Sequence, residues 1–399
     1  MQFSDRISSL QPSAIREIFK VLQDPSIISF AGGNPAPESF PIQEMSRISA
    51  QIFEEQAVTA LQYSVTEGYP TLREQVETRL QEKFNIDTKN NDTVIVTGGQ
   101  QAIELACKVL CNEGDVVICE EPSFIGALNA FRSYNTRLIG IPMESDGMNL
   151  NILEHILKTE KKIKLLYIIS TFQNPTGITT SLAKRQGIYH LAKKYGITIF
   201  EDNPYGELRF SGENIATLKS MDTEHIVLYS GSFSKILSPG MRIGFICAPP
   251  LFISKLVVAK QISDVHTNIF FQILTSEFLK QENLDKHITK IQEIYKQKNT
   301  AMLKKMDELF PKDVFYTRPE GGLFIWCDLG HRIDSDKFSK EVIKNHVAVV
   351  PGSAFMIDNS RKSSCIRINY SMPSIDQINI GIERLSQAIN KIIGEHYAK

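Results

Sequence analysis

The middle of the chain alternates short, continuous apolar runs with amphipathic stretches, and this alternation limits the fold more than any other feature of the sequence. The runs, such as TVIV at residues 93–96 and IVLY at residues 226–229, are too short for helices. They are also too continuous for antiparallel strands that have one face in water. The stretches between them repeat apolar residues at helical spacing. The pattern predicts an α/β fold in which a mostly parallel central sheet is covered by helices on both faces.

Both ends of the chain differ from this middle part. Residues 1–45 are rich in Pro and Gly, which indicates an arm rather than a separate domain. After about residue 285, a long charged helix is followed by shorter strands and helices, which is typical of a smaller α+β domain. We therefore predict an N-terminal arm at 1–45, a large domain at 46–285 and a small C-terminal domain at 286–399.

Composition argues against several classes of function. The 399 residues include 44 basic and 45 acidic side chains, so the formal net charge of -1 attracts neither nucleic acid nor an anionic membrane. Six cysteines are scattered without a C-x-x-C pair, which favours buried thiols in a reducing compartment over a metal site. The N-terminal residues lack the apolar core of a signal peptide, and no apolar run approaches about 18 residues. We expect a cytoplasmic protein with no metal, membrane or nucleic-acid partner.

Four polar clusters follow the predicted strands, at the positions where parallel sheets bind their ligands. Gly98 and Gly99 open a helix whose unpaired N–H groups attract an anion, although a plain strand-to-helix turn has the same sequence. Asn174 stands in an Asn-Pro-Thr-Gly segment, which also fits a simple turn. Asp202 ends a buried run, where a carboxylate is costly unless a cation pairs with it or it caps the next element.

The fourth cluster is SGSFSKILSPGMRIG at residues 230–244. Its small and hydroxylated residues leave room for an anion, and Arg242 offers a forked guanidinium to bind one. A lysine that is desolvated near other cations loses its proton more readily, so Lys235 is either a nucleophile for a carbonyl or an ordinary surface lysine. Together the four clusters fit a ligand with a phosphate, a basic ring nitrogen, a phenolic oxygen and an aldehyde. Pyridoxal phosphate has all four groups.

The chain resembles the class I and II aminotransferases, which are pyridoxal-phosphate enzymes of fold type I, along nearly its whole length. The segments that carry the resemblance are LQYSVTEGYPTLRE, GGQQAIEL, EEPSF, NPTG, EDNPY, SGSFSKILSPGMRIG and IRINYS. Two N-terminal segments, PSAIREIFK and FAGGNPAPESFP, further resemble the subgroup of 2-aminoadipate, kynurenine and broad-specificity aromatic or branched-chain aminotransferases. The resemblance implies a homodimer with shared active sites.

The resemblance also implies roles for individual residues. Lys235 would bind the cofactor's aldehyde covalently, Asp202 would pair with the pyridine nitrogen, and Tyr205 would contact the ring oxygen; these three form the implied catalytic set. The other implied contacts to the cofactor's phosphate, ring face and ring oxygen come from Gly99, Gln100, Phe124, Asn174, Ser232, Ser234, Arg242 and, in the neighbouring subunit, Tyr63. The implied substrate contacts are Arg367 for the α-carboxylate, Asn174, Gly33, and Arg16 on an N-terminal segment that can cover the substrate.

The implied reaction is transamination by a ping-pong mechanism that alternates the pyridoxal and pyridoxamine forms of the cofactor. The amino donor would be 2-aminoadipate or an aromatic or branched-chain amino acid, and the acceptor would be a 2-oxo acid, with 2-oxoglutarate expected. Arg16 would suit a distal carboxylate, or it is an ordinary charged position on an amphipathic helix. Phe124 and Tyr63 offer apolar surface to aromatic substrates.

Two other functions stay open at this point. A pyridoxal-phosphate lyase or decarboxylase would use the same cofactor residues. A regulator built on this fold would need a DNA-binding domain, which residues 1–45 are too short and too weakly basic to supply.

Overall fold

The structure of the protein, a computed structural model, describes residues 3–8, 24–330, 333–358 and 360–397. Its strands, numbered in chain order, are β1 (Ile28–Ser29), β2 (Asp92–Val96), β3 (Val116–Glu121), β4 (Arg137–Glu144), β5 (Gly147–Met148), β6 (Ile163–Ile168), β7 (Thr198–Asp202), β8 (Val227–Ser232), β9 (Gly244–Ala248), β10 (Phe315–Tyr316), β11 (Phe324–Asp328), β12 (Val347–Ala348), β13 (Val350–Pro351) and β14 (Cys365–Asn369). The α-helices span Asp5–Ser8, Ile42–Glu55, Ala57–Leu61, Pro70–Phe84, Gly99–Leu110, Ile125–Ser133, Leu150–Thr159, Leu182–Tyr195, Pro250–Asp264, Ile269–Gln281, Leu284–Leu309, Ser335–Lys344 and Ile375–Tyr397.

The central sheet has eight strands in the order β2-β9-β8-β7-β6-β3-β4-β5. All pairs from β8 through β7, β6 and β3 to β4 are parallel, whereas the pairs that involve β2, β9 or β5 are antiparallel. Parallel neighbours need long crossover connections, which the helices between the strands provide. The predicted mostly parallel sheet is therefore confirmed.

Helices cover both faces of this sheet because its strands are apolar on both sides. On β6, Tyr167 packs into a core that includes the helix Gly99–Leu110, whereas its neighbour Leu166 packs into a separate core with the helix Leu182–Tyr195. Successive side chains of a strand point to opposite faces, so one continuous apolar run supplies both cores.

A second, smaller sheet is antiparallel and has the order β10-β11-β14-β13. Nearby, β1 pairs in parallel with β12, so the segment after residue 24 is hydrogen-bonded to the C-terminal part of the chain. The helices Leu284–Leu309 and Ile375–Tyr397 pack against each other, and Ile375–Tyr397 also contacts β12. The domain boundaries predicted after residues 45 and 285 stay predictions.

The candidate site lies where the two sheets meet. The parallel strands β6, β7 and β8 end at one edge of the central sheet, and the polar clusters predicted from the sequence follow them. From the smaller sheet, Arg367 of β14 reaches this edge and donates a hydrogen bond to Asn174, with 2.9 Å between Nη1 and Oδ1. None of the helices in the described part of the chain has both the length and the apolar composition needed to cross a membrane.

Candidate active site

Asp202 is the last residue of β7, and its side chain is buried at the ligand-binding edge of the central sheet. Its Oδ2 accepts a hydrogen bond of 2.9 Å from the hydroxyl of Tyr167. Burial raises the pKa of Asp202 to about 7, and the hydrogen bond from Tyr167 opposes that rise. The sequence predicts a cationic partner for this carboxylate, but its hydrogen-bond donor among the described residues is a neutral phenol.

Lys235 lies in the turn that follows β8, and its side chain is partly buried. Its Nζ donates a hydrogen bond of 2.8 Å to the carbonyl oxygen of Gly33, which comes from the N-terminal segment. Burial, together with the positive charges of Arg367 and Arg242, lowers the pKa of Lys235 to about 8. A larger share of this amine is therefore neutral, and so nucleophilic, near neutral pH than for an ordinary lysine.

An anion site is formed where the helix Gly99–Leu110 begins. Gly98 has a φ of 77°, and a Cβ at this position would lie 2.2 Å from Nη2 of Arg242. Only glycine therefore lets the guanidinium approach the turn. Within the described chain, the backbone N–H groups of Gly99 and Gln100 donate to no protein acceptor, so they are free to bind an anion. The side-chain amide of Gln100 is already bound to the carbonyl oxygen of Gly126, at 2.9 Å.

Two serines and an arginine complete this anion site. The hydroxyl of Ser232 donates to that of Ser234 at 2.9 Å, and Nη1 of Arg242 lies 3.4 Å from the same Ser234 oxygen. Nη2 of Arg242 donates to the carbonyl oxygen of Thr97 at 3.2 Å. Arg242 itself has a φ of 56°, which turns its side chain back from the loop toward the glycine turn. The structure thus brings together the predicted hydroxyls, guanidinium and helix N-terminus.

A buried polar network supports this anion site, and it was not predicted from the sequence. The ammonium of Lys260 donates to Asp264 at 2.8 Å, to Gln101 at 3.0 Å and to Thr267 at 2.9 Å. Asp264 in turn accepts hydrogen bonds from the hydroxyl of Thr97 and from the side-chain amide of Gln101, both at 2.7 Å. A lysine and an aspartate four residues apart on one helix were the available sequence signal.

Tyr205 and Asn174 meet at the same edge of the sheet. The amide Nδ2 of Asn174 donates to the hydroxyl of Tyr205 at 3.4 Å, and both side chains are buried. The ring of Tyr205 makes an edge contact with Phe324, with 5.8 Å between ring centroids. Burial raises the pKa of Tyr205, so its hydroxyl stays protonated and can donate a hydrogen bond to a ligand oxygen.

Arg367 is a buried cation with an unsatisfied donor. Its Nη1 donates to Asn174 and its Nη2 donates to the carbonyl oxygen of Ala31 at 2.7 Å, whereas its Nε has no hydrogen-bond partner among the residues that the structure describes. The guanidinium lies between the rings of Phe324 and Phe355, 4.2 and 4.9 Å from their centroids. Burial lowers the pKa of Arg367 to about 10, so the group remains cationic at neutral pH. It can therefore bind a carboxylate.

The remaining predicted residues are less closely connected to this site. Phe124 is half-buried and directly precedes the helix Ile125–Ser133. Tyr63 is 82% exposed, and the ring contact that it makes within the chain is with His266, at 5.9 Å. Arg16 lies outside the described residues.

Known proteins resemble this chain over nearly its whole length. The aminotransferase class I and II family matches residues 26–385. The aromatic-amino-acid aminotransferase 1 of Thermococcus litoralis is 41% identical over 393 residues, which cover 98% of this chain and 94% of that relative.

Two solved structures share the fold. A kynurenine aminotransferase of Pyrococcus horikoshii, solved with PMP, substrate and product, superposes with a TM-score of 0.94 at 40% identity and covers 98% of this chain and 97% of that one. An alpha-aminoadipate aminotransferase of Thermus thermophilus, solved with N-(5'-phosphopyridoxyl)-L-leucine, has a TM-score of 0.91 at 37% identity and covers 98% of both chains. The similarity thus includes both sheets and the edge where they meet.

Proposed function

This chain belongs to the class I and II aminotransferases and is a pyridoxal-phosphate enzyme, and we propose that the residues at the junction of its two sheets form the active site. The observation that carries the proposal is the hydrogen-bonded series from Arg367 through Asn174 to Tyr205. This series connects Arg367 of the smaller sheet, which can bind a carboxylate, with two residues that follow strands of the central sheet. Those two residues, Asn174 and Tyr205, are proposed to contact the cofactor's ring oxygen. The transferase reaction and its cofactor were predicted from the sequence and are confirmed.

The residues present fit the cofactor. Its phosphate suits the free N–H groups of Gly99 and Gln100 together with Arg242 and the hydroxyls of Ser232 and Ser234. A protonated ring nitrogen would supply the cation that the buried carboxylate of Asp202 lacks. When bound, the cofactor supplies an electron sink for the electron pair that is released at the substrate's Cα. Phe124 is proposed to lie against the face of the ring.

The other steps of the proposed reaction depend on side chains of the protein. Asp202 would hold a proton on the ring nitrogen, and Tyr205 and Asn174 would donate hydrogen bonds to the ring oxygen. The Nζ of Lys235 is neutral in part near pH 7, so it can accept the proton of the substrate's Cα and deliver it again on the product side. Arg367 fixes the α-carboxylate and so orients the Cα–H bond toward that nitrogen.

We propose that the amino donor is an aromatic amino acid or 2-aminoadipate, with a branched-chain amino acid as a further candidate, and that 2-oxoglutarate is the acceptor. Similarity to aromatic-amino-acid and kynurenine aminotransferases supports an aromatic donor, and similarity to an alpha-aminoadipate aminotransferase supports 2-aminoadipate. The rings of Phe324 and Phe355 beside Arg367 offer an apolar surface next to the bound carboxylate. Gly33 leaves that surface open, because a Cβ there would lie 3.1 Å from the ring of Phe324.

Single-turnover absorption spectra test the reaction and the donor together. The yellow loaded protein is mixed with one amino acid at a time, and conversion to the pyridoxamine form is followed. We expect conversion by an aromatic amino acid or 2-aminoadipate and recovery of the yellow form with 2-oxoglutarate. The Lys235→Ala variant is the control and should not convert. Loss of carbon dioxide or of a side-chain group without accumulation of the pyridoxamine form would favour the lyase or decarboxylase alternative.

We also propose a homodimer in which Tyr63 completes the phosphate site of the neighbouring subunit. The support is a group of exposed apolar side chains in the same segment as Tyr63, which includes Val58 and Leu61; Val58 is 80% exposed. Surfaces of this kind mark sites of association. The cytoplasmic location stays a proposal, which the free state of all six cysteines supports.

Mixed dimers test the shared site directly. Tyr63→Ala and Lys235→Ala subunits are each expected to be nearly inactive as homodimers. A heterodimer of the two contains one site with an intact Lys235 and an intact Tyr63 from the other subunit, so its activity should recover to about half that of the wild-type dimer. Absence of recovery, with dimers confirmed by sedimentation, would reject the shared site.

A further inference from the structure

Tyr167 reaches Asp202 across two neighbouring strands of the central sheet. In the register of β6 and β7, Tyr167 pairs with Phe200, and Asp202 lies two residues further along the same face of β7. Such a diagonal neighbour is within reach of a long aromatic side chain. The Tyr167 hydroxyl and Oδ2 of Asp202 are 2.9 Å apart, and both side chains are buried.

The ring of Tyr167 is held in place by its packing. It makes an edge contact with Phe131, at 5.5 Å between centroids, and a stacked contact with Phe200, at 6.0 Å. The side chain is fully buried, so the phenol has no space to turn toward solvent. The position of its hydroxyl is therefore fixed by the sheet core and does not depend on a ligand.

The hydroxyl can act on Asp202 only as a donor. Burial and the charge of Asp202 raise the pKa of Tyr167 well above its ordinary value, so the phenol keeps its proton. A donor of this kind favours the ionised carboxylate and makes it less basic. It opposes the effect of burial, which by itself favours the protonated acid at Asp202. The charge of Asp202 also contributes to the raised pKa of a second buried carboxyl, Glu120, which is about 8 chiefly because of burial.

The second oxygen of Asp202 is left for a ligand. Oδ1 accepts no hydrogen bond from the described residues, and it faces the start of the helix at Gly99, where an added Cβ would lie 3.9 Å away. One oxygen is thus bonded to a rigid phenol, and the other is left open near the start of the helix.

We propose that Tyr167 is a positioning residue that orients the carboxylate of Asp202 and keeps it ionised, so that Oδ1 is presented to the cofactor's ring nitrogen and the shared proton stays on that nitrogen. The proposal rests on the assignment of Asp202 to the ring nitrogen. It adds a residue that carries no catalytic signal in the sequence, because a tyrosine within the apolar run LLYII is typical of a sheet core.

The Tyr167→Phe variant tests this role because it removes the hydroxyl and keeps the ring. The protein is loaded with cofactor labelled with ¹⁵N in the ring, and the ¹⁵N chemical shift reports where the proton lies. Without the phenol donor the carboxylate becomes more basic, so we expect the shift to move toward that of an unprotonated pyridine. We also expect kcat to fall by about tenfold to a hundredfold, the range expected from loss of a hydrogen bond to a charged group, with little change in KM.

Tyr229→Phe is the matched control. Tyr229 is also fully buried in the sheet, and its hydroxyl accepts a hydrogen bond of 2.9 Å from Asn203, but it pairs with Glu201 and so lies on the opposite face from Asp202. It should leave the ¹⁵N shift unchanged. An unchanged shift in Tyr167→Phe, or an equal change in both variants, would overturn the proposal.

Two further measurements distinguish a failure of the Tyr167 proposal from a failure of the assignment of Asp202 to the ring nitrogen. Asp202→Asn should move the ¹⁵N shift further than Tyr167→Phe does, and if it has no effect, the Asp202 assignment itself fails. If Tyr167→Phe does not fold, 3-fluorotyrosine at position 167 preserves the packing and strengthens the donor, so the shift should move toward that of a fully protonated pyridine. No movement, or movement in the other direction, would reject the role of Tyr167.

Discussion

Glu201 and Asp202 are consecutive buried carboxylates at the end of β7, and they face opposite sides of the central sheet. Glu201 accepts hydrogen bonds on both oxygens: from the hydroxyl of Ser170 at 2.6 Å, and from the backbone N–H groups of Leu218 and Lys219 at 3.0 and 2.8 Å. Among the described residues, the hydrogen bond that Asp202 accepts comes from Tyr167.

A buried carboxylate thus has two different functions in this sheet, one structural and one in ligand binding. A buried carboxylate whose oxygens are all bonded by the protein holds neighbouring segments together, here the loops after β6 and before β8. A buried carboxylate with a free oxygen at a ligand-binding edge is unstable by itself and needs a ligand to complete it.

Two lysines repeat this contrast. Lys260 donates to an aspartate, an amide and a hydroxyl, whereas Lys235 donates to one backbone carbonyl. In the carboxylate pair and in the lysine pair, the residue with fewer hydrogen-bond partners, Asp202 or Lys235, is the one that we propose to take part in the reaction.

The largest expected effect is on kcat, and it distinguishes Asp202 from Glu201. Asp202→Asn should lower kcat by about a thousandfold, the scale on which loss of one preorganised electrostatic contact acts, because the amide cannot hold the ring nitrogen in its protonated form. Glu201→Gln should instead lower the free energy of unfolding by about 1–3 kcal/mol through its lost hydrogen bonds, with kcat nearly unchanged. Steady-state kinetics and urea unfolding of both variants check this, and equal losses of kcat would remove the distinction.

The second prediction concerns the pH at which Lys235 reacts with the cofactor. With a pKa of about 8 for the unliganded amine, the rate of cofactor capture by the cofactor-free protein should rise about tenfold between pH 7 and pH 9 and then level off. An ordinary lysine would still gain about a hundredfold over the same interval. Stopped-flow absorbance measures the rate, and a free alkylamine measured in parallel corrects for the ionisation of the cofactor itself. A rate that keeps rising past pH 9 would contradict the lowered pKa.

A third prediction tests the network beneath the anion site. Asp264→Asn removes the charge opposite Lys260 and weakens the acceptor for Thr97, whose carbonyl oxygen binds Arg242. We expect the dissociation constant of the cofactor to rise roughly tenfold, which corresponds to the loss of one hydrogen bond to a charged group. Equilibrium titration of the cofactor-free protein measures it, with the exposed Asp358→Asn as control. Equal affinities in the two variants would show that the network does not support the anion site.

The last prediction concerns the pH dependence of the free energy of unfolding. The pKa of Asp202 in the folded, cofactor-free protein is about 7, above the unfolded value of about 4. The folded state therefore binds more protons than the unfolded state between these values, and the stabilising contribution of the protonated acid is lost as the pH rises through this interval. Asp202→Asn should flatten the decline by up to about 4 kcal/mol over the whole interval, because each pKa unit corresponds to about 1.4 kcal/mol. Urea unfolding at several pH values measures it, and identical profiles for the variant and the wild type would refute the raised pKa.

Most of the fold and most of the polar residues at the site could be predicted from the sequence. Continuous apolar runs and helical spacing are local properties, so the parallel sheet and its covering helices could be inferred from them. Gly98, Asp202, Lys235 and Arg242 could be identified because they follow predicted strands, and the ends of parallel strands are where such sheets bind their ligands.

Other parts of the site could not be identified in this way. Tyr167 and Lys260 occur in apolar segments, and their roles depend on partners that only the folded chain brings close. Tyr63 is exposed and its ring contacts His266 within the chain, so its proposed role in the phosphate site of a neighbouring subunit stays a prediction. Arg16 falls outside the described residues, and its role in substrate binding stays a prediction.

The sequence by itself determined which chemical groups the protein has and on which strand ends they stand, because both follow from residue identity and local spacing. The tertiary structure decided which of those groups have hydrogen-bond partners within the protein. Asp202 and Tyr167 are 35 residues apart in the chain, and Arg367 and Asn174 are 193 apart. The hydrogen bonds that these two groups make therefore arise only when distant strands pack side by side, and in the described part of the chain Oδ1 of Asp202 and Nε of Arg367 keep no partner.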